Sequence, residues 1–142
     1  MDRWKKRNQQ IAKNLEELHK DKIYYYRVSK KGVGRALKAV WSNSKSNIVG
    51  YMDLDIATDL NHLPEALGAL ANNDYDIVYG TRLHKASQVY GRTFKREITS
   101  RAFNFIVRKY LGVTFSDGMC GFKFLKAEKL SQILTNGAKS DE

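Results

Sequence analysis

Between residues 47 and 80 the chain reads as strand, helix, strand, and this alternation constrains the fold more than any other feature. "NIVGYMD" (47–53) and "YDIVYG" (75–80) are apolar runs of strand length. The stretch between them carries Leu60, Leu63, Leu67 and Leu70 at spacings of three and four, a helical stripe with Asp59 or Asn61 available as its cap. Strands joined through a helix imply parallel pairing, and in such sheets ligands sit outside the carboxyl ends of the strands. The expectation is an α/β fold with a mostly parallel sheet, its 47–53 strand apolar enough to be covered on both faces.

The flanking sequence extends the pattern. Residues 4–20 place Ile11, Leu15 and Leu18 on one face of an amphipathic helix, "KIYYYRV" (22–28) is β-prone, and "VGRALKAVWSN" (33–43) reads as a helix. A polar stretch over 81–90 leads to a long helix with Phe94, Ile98, Phe105 and Ile106 as its predicted buried stripe, stopped near Gly112. "CGFKFLKAEKLSQIL" then reads as a short strand and a helix. One Pro and ten scattered Gly mark turns, and no repeat or linker interrupts the chain, so residues 1–142 are expected to form one domain.

Composition narrows the partners. Lys and Arg total 25 against 15 Asp and Glu, and the net charge of +10 favours a polyanion: nucleic acid, anionic lipid headgroups or a phosphorylated substrate. Lys and Arg are spread along the whole chain and no nucleic-acid recognition motif is found, so no specific nucleic acid is expected. A single cysteine, Cys120, excludes an internal disulfide, suits a reducing compartment and reads as a small buried residue. The first ten residues are charged and polar, unlike a secretory signal, and no apolar run approaches the roughly 20 residues that span a bilayer.

The first of the two strands ends in "MDLD". Residues two apart in a strand share a face, so Asp53 and Asp55 converge if the extended backbone persists through Leu54. Two close carboxylates repel unless a cation lies between them, and Mg²⁺ or Mn²⁺ is commonly held by one or two carboxylates with substrate phosphate oxygens. The alternative is a helix cap and a solvated charge. "SKKGVGRALK" sets Gly32 and Gly34 among Lys30, Lys31 and Arg35 before a helix, either an ordinary turn or a phosphate contact; it lacks the Walker A spacing. Arg82 follows the second strand and emerges at the same edge as the aspartates. Arg96 and Ser100, four apart, either hold an oxyanion between them or belong to a solvated helix face.

Taken in order, "KGVGRALKAV", "GYMDLDIATDL", "YDIVYGTRL", "KREITSRAFNFIVRKYLG" and "SDGMCGFKFLKAEKL" resemble the family 2 inverting glycosyltransferases, in particular the dolichyl-phosphate and polyprenyl-phosphate mannose and glucose synthases. The resemblance spans roughly residues 28–130. It implies a GT-A-type nucleotide-binding fold and transfer of a sugar from a nucleotide-sugar donor to a polyprenyl or dolichyl phosphate. On it, Asp53 and Asp55 hold the divalent metal, Asp53 with Lys31, Gly32 and Gly34 meets the donor diphosphate, Arg82, Arg96 and Ser100 cradle the acceptor phosphate, and Asp55, Arg82, Arg96 and Ser100 are the catalytic set. Asp117 and residues 120–123 match a "D-x-x-C-G-F-K" segment, which on this resemblance either shapes the sugar pocket or serves packing through Gly121 and Phe122.

The family's opening "P-x-Y-N-E" turn and its "D-D-x-S-x-D" segment do not occur, and Lys30 and Val33 stand where the family usually has Asn and Lys. The chain therefore resembles a fragment truncated at its N-terminus, inactive or weakly active alone, with the missing half carried on another chain, removed or lost. A lipid acceptor implies peripheral contact at the cytoplasmic face of a membrane, through basic surface and the exposed face of the helix after residue 92. A dehalogenase-type phosphatase also opens with a strand and D-x-D, but Ala57 and the lack of a later acidic pair count against it. The alternatives are a catalytically silent fragment or partner subunit of such an enzyme, or a basic nucleic-acid-binding protein.

Overall fold

The structure is a computed structural model that describes residues 3–54, 58–72, 75–91 and 93–137. The chain forms two compact units, Met1–Asn43 and Ser44–Glu142.

The first unit contains α1 (Arg3–Leu18) and α2 (Val33–Trp41). The predicted helix over 4–20 is present, but Ile11, Leu15 and Leu18 are exposed. Of the β-prone stretch 22–28, residues 23–28 lie outside any helix or strand and pair with no strand among the described residues. Their β-branched and aromatic side chains suit a pleated surface, yet pairing needs a neighbouring ladder. Here the Tyr25 amide donates instead to Glu16 Oε1 at 2.9 Å, which ties the segment to α1. Gly32 has φ 142°, a conformation that side chains disfavour, and its carbonyl starts α2 by accepting from the Ala36 amide.

The second unit runs β1 (Ile48–Met52), a short 3₁₀ turn Leu60–His62, α3 (Leu63–Ala71), β2 (Ile77–Tyr79), α4 (Phe94–Leu111), β3 (Phe122–Lys126) and α5 (Ala127–Gly137). Asp59 caps the 3₁₀ turn by accepting from the Asn61 amide, the first of the two anticipated caps.

The α/β reading holds, but the expected parallel pairing does not. The sheet order is β1-β3-β2, and both pairs are antiparallel: Met52 faces Phe122 across β1 and β3, and Tyr79 faces Lys123 across β2 and β3. Joined through α3, β1 and β2 do point the same way, but with a gap of one strand between them. The last strand fills that gap in the opposite sense. One edge of the sheet therefore gathers the carboxyl ends of β1 and β2 and the amino end of β3.

The core packs Phe122, Phe124 and Cys120 against Ala66 and Leu70 of α3, with Ile48, Met52, Leu63, Leu67 and Val78 around them. The rings of Phe122 and Phe124 meet edge to face at 4.8 Å. Only Val49 of β1 is buried, so that strand is not fully covered on both faces. Gly50 sits opposite Phe124, and a Cβ there would overlap the Phe124 ring and come within 2.8 Å of the Lys123 carbonyl. Gly50→Ala should cost about 1–3 kcal/mol by overpacking, read from urea unfolding. A change below ~0.5 kcal/mol would show that the ring can move aside.

Helix α4 also departs from expectation. Phe94, Ile98, Phe105 and Ile106 are exposed, Phe94 at 80%, and among the described residues of α4 only Asn104 is buried. Its ends are set by local chemistry. Thr93 accepts from the Arg96 amide, and Gly112 closes the helix in the left-handed region at φ 63°. The helical spacing was sound, but the stripe it marks is left exposed among the described residues.

Candidate functional site

Because β3 enters antiparallel, the "DGMCGFK" segment leads into the same edge where β1 and β2 end. The Asp53 amide donates to the Gly121 carbonyl at 2.9 Å, and the Gly80 amide donates to the Phe122 carbonyl at 2.8 Å. These bonds extend both ladders past the last regular pairs. They fix Asp53 on one side of the segment and residues 80–82 on the other.

Asp117 lies at the centre of this edge with a side-chain exposure of 0%. Its Oδ2 accepts from Arg82 Nε at 2.8 Å and from the Arg82 amide at 3.2 Å, and its Oδ1 accepts from Arg82 Nη2 at 3.1 Å and from the Met119 amide at 3.0 Å. This is the two-pronged geometry in which a guanidinium grips a carboxylate best. Burial alone pushes Asp117 up, but the Arg82 side chain, the two amides and the Arg82 charge outweigh it and hold the carboxyl below its ordinary range. Hydrogen bonding to Asp117 likewise raises Arg82, against the opposing effect of burial.

Two further residues brace the turn that carries Asp117. Asn104 on α4 accepts from the Gly118 amide at 2.8 Å through Oδ1, while its Nδ2 donates to the Ser100 carbonyl. Lys123 Nζ donates to the Gly118 carbonyl at 2.7 Å and lies 5.9 Å from the centre of the Tyr51 ring. Burial first, and then the nearby Asp53 carboxylate, push the Tyr51 hydroxyl above its ordinary range, with the Arg82 charge opposing them. Cys120 is buried and its thiol is pushed up, first by burial and then by Asp117, which leaves it a packing residue.

Gly121 explains how Asp53 fits. A Cβ at this position would overlap the Asp53 carboxylate, so the glycine makes room for the acid to lie across the segment. An open groove of about 1070 Å³ borders the edge, lined by Arg82 and Cys120 at the site and by His62, Tyr75, Tyr79 and Tyr90 farther along.

The structure thus brings Asp53 and Arg82 to one edge, as the sequence anticipated. Asp55 lies outside the described residues. Arg96 and Ser100 lie on α4, eight and four residues before the Asn104 that is tied to Gly118. Lys31, Gly32 and Gly34 belong to the other compact unit, where Arg35 Nη1 donates back to the Lys31 carbonyl. Gly34 has open space where a Cβ would be and no positive φ, so only Gly32 is required by the backbone of that turn.

Sequence reasoning named Arg82 and Asp117 separately and missed that they are partners. It gave no role to Asn104 or Tyr51, and it named Lys123 only as part of the segment over 120–123. Asn104 carried a usable signal, since it is the lone amide within the apolar run "AFNFI". The Arg82–Asp117 pair carried none, because its members stand 35 residues apart.

The sequence pattern of glycosyl transferase family 2 matches residues 2–134, nearly the whole chain. The chain belongs to that family. Among curated proteins, glycosyltransferase AglD of Haloferax volcanii is 33% identical over 105 residues, which cover 74% of this chain and 17% of that protein. Dodecaprenyl-phosphate galacturonate synthase of Rhizobium johnstonii is 24% identical over 106 residues, covering 75% of this chain and 30% of that protein. The chain thus spans less than a third of either relative. No helix among the described residues is long and apolar enough to cross a membrane.

Proposed function

We propose that this chain is glycosyltransferase machinery of the GT-A type that passes a sugar from a nucleotide-sugar donor to a polyprenyl or dolichyl phosphate. The observation that carries this reading is the convergence of a carboxylate, Asp53, with the Asp117-held guanidinium of Arg82 at the carboxyl edge of β1 and β2. One end of such a site can meet a donor diphosphate and the other an acceptor phosphate. The family match runs across both compact units, which supports reading them as parts of one domain.

The residues at the edge fit a hard divalent ion. Asp53 presents a carboxylate over Gly121, and Asp55 follows two residues on in sequence. Asp117 is not available for this, because its oxygens are already taken by Arg82 and Met119. Among the described residues no group of three or more His, Cys, Asp or Glu forms a metal cage. One or two carboxylates completed by substrate oxygens is how Mg²⁺ is usually bound at phosphate sites. Bound there by Asp53 and Asp55, Mg²⁺ or Mn²⁺ would neutralise charge on the departing diphosphate.

The chain's own part is alignment. An acceptor phosphate is already an anionic nucleophile, so no general base is required. Arg82, with Arg96 and Ser100, would hold it in line with the anomeric carbon, opposite the leaving group, and attack from that side inverts the centre. The direct test offers labelled nucleotide sugars and a polyprenyl phosphate to the protein carrying this chain, with Mn²⁺ or with chelator. Metal-dependent passage of label into the organic phase is expected, and label that never leaves the aqueous phase with any donor would refute the reading.

A lipid acceptor places the chain at a membrane surface, proposed to be the cytoplasmic face. Helix α4 exposes Phe105, Tyr110 and Leu111 beside Arg101, Arg108 and Lys109, the mix of apolar and basic groups that an interfacial helix uses. Each cation near an anionic surface adds about 1 kcal/mol, screened by salt. Co-sedimentation with vesicles should therefore rise with anionic lipid and fall by 0.5 M salt, an ionic strength on the order of several times physiological. Equal binding to neutral vesicles would contradict it.

A further inference from the structure

The geometry points to Asp117 as a positioning residue that fixes which edge of Arg82 is offered to an anionic ligand. The inference rests on the acceptor-phosphate reading of Arg82. A guanidinium has two edges through which it can grip an anion, and a surface arginine samples many orientations. Here Asp117 takes Nε and Nη2 of Arg82, and its Oδ2 also holds the Arg82 backbone amide, so side chain and main chain are locked to one acceptor. Nη1 makes no hydrogen bond among the described residues, and Arg82 keeps 39% of its side-chain surface. The accessible part of the cation borders the groove whose lining also includes Thr81 and Ser87.

The surroundings are arranged to hold Asp117 rather than to reach a ligand through it. The carboxylate has no exposed surface, so it cannot touch substrate. Its turn is clamped by Asn104 from α4 and by Lys123 from β3, both through Gly118. Ser87 Oγ donates to the Thr81 carbonyl at 2.7 Å, and the Leu83 amide donates to Thr81 Oγ1, which fixes the backbone on both sides of Arg82. Asp117 therefore acts through Arg82. It fixes the orientation of the cation before the anion arrives, and a cation that is already oriented loses less freedom on binding.

The experiment is a double-mutant cycle on the full 142-residue chain, with geranyl phosphate as the probe and calorimetry as the readout, run beside ¹⁵N spectra of the arginine side chains. In the wild type, Arg82 Nε–H should give a resolved, slowly exchanging signal. Asp117→Asn should abolish that signal while the amide signals of β1, β2 and β3 stay in place. Arg82→Ala should weaken geranyl phosphate binding by about tenfold, the scale of one charge-assisted contact. Asp117→Asn should weaken it comparably, and the double variant should bind no worse than Arg82→Ala alone.

Multiplicative losses in the double variant, or unchanged binding by folded Asp117→Asn, would overturn the inference. Should the Asn variant fail to fold, Arg82→Lys decides. A lysine keeps the charge but cannot be gripped along two edges, so it should bind as poorly as alanine, and wild-type affinity in Arg82→Lys would overturn the inference. The spectra separate the two claims. A slowly exchanging Arg82 Nε–H in a wild type that binds no geranyl phosphate supports the grip of Asp117 and overturns the acceptor reading, whereas a fast-exchanging one overturns the grip.

Discussion

Asp117→Ala should lower the unfolding free energy by about 3 kcal/mol. Removing one partner of a buried, hydrogen-bonded charge pair typically costs about 3–5 kcal/mol. The lower end applies because Arg82 is partly exposed and can return to water. The Met119 and Arg82 amides lose an acceptor that no solvent replaces without opening the turn. The same pair predicts a pH dependence whose sign is fixed. A carboxyl held below its ordinary value of 3.8 contributes fully above that value, and the contribution is lost as pH falls toward its lower folded value. The gap in stability between wild type and Asp117→Ala should therefore stay constant from pH 7 to about pH 5 and close only below about pH 4. Urea unfolding at stepped pH measures it. A gap that closes between pH 7 and 5 would assign the effect to another group.

The second large effect is expected at Gly121, and on ligand binding rather than stability. The three atoms nearest to a Cβ there all belong to the Asp53 carboxylate, the far end of an exposed and rotatable side chain. Asp53 can swing away at little cost to the fold, so Gly121→Ala should change stability by under about 1 kcal/mol. The swing displaces the acid from the edge, and affinity for Mn²⁺ in the presence of a nucleoside diphosphate should drop at least about tenfold, as expected when a placed ligand is lost. Gly50→Ala is the contrasting case, because its neighbours are a core ring and a backbone carbonyl. If Gly121→Ala binds Mn²⁺ as tightly as wild type, Asp53 does not act from the position it holds over Gly121.

Which parts of this architecture were legible follows from what each signal encodes. Hydrophobic periodicity marked β1, α3, β2 and α4 within a few residues, because it reports the repeat of the backbone. It carries no strand direction, so the antiparallel insertion of β3 was invisible. It also cannot report whether a face finds a partner, and the apolar positions of α1 and α4 remain exposed despite correct spacing. The "KIYYYRV" stretch shows the same limit, with strand-prone residues and no ladder to join. At the site, Asp53 and Arg82 were legible because each lies within three residues of the end of an apolar strand, and strand ends in an α/β fold meet at one edge. Asp117 was legible only as part of a motif. Its grip on Arg82 depends on a loop folding back across the sheet, which no local pattern encodes.

The central claim is that Asp53 ends β1 in order to hold a divalent cation against a nucleoside diphosphate, and Mn²⁺ titration tests it most directly. Free Mn²⁺ is counted by its electron paramagnetic resonance signal as protein is added, with and without GDP or UDP, for wild type, Asp53→Asn and Asp55→Asn. An amide keeps the shape of the acid and removes its charge, so the fold should be retained. The account predicts wild-type binding that tightens when the nucleotide supplies further oxygens, and a loss of about tenfold or more in either Asn variant under that condition. Equal affinities in all three proteins would contradict it and remove the cation-holding role from Asp53 and Asp55.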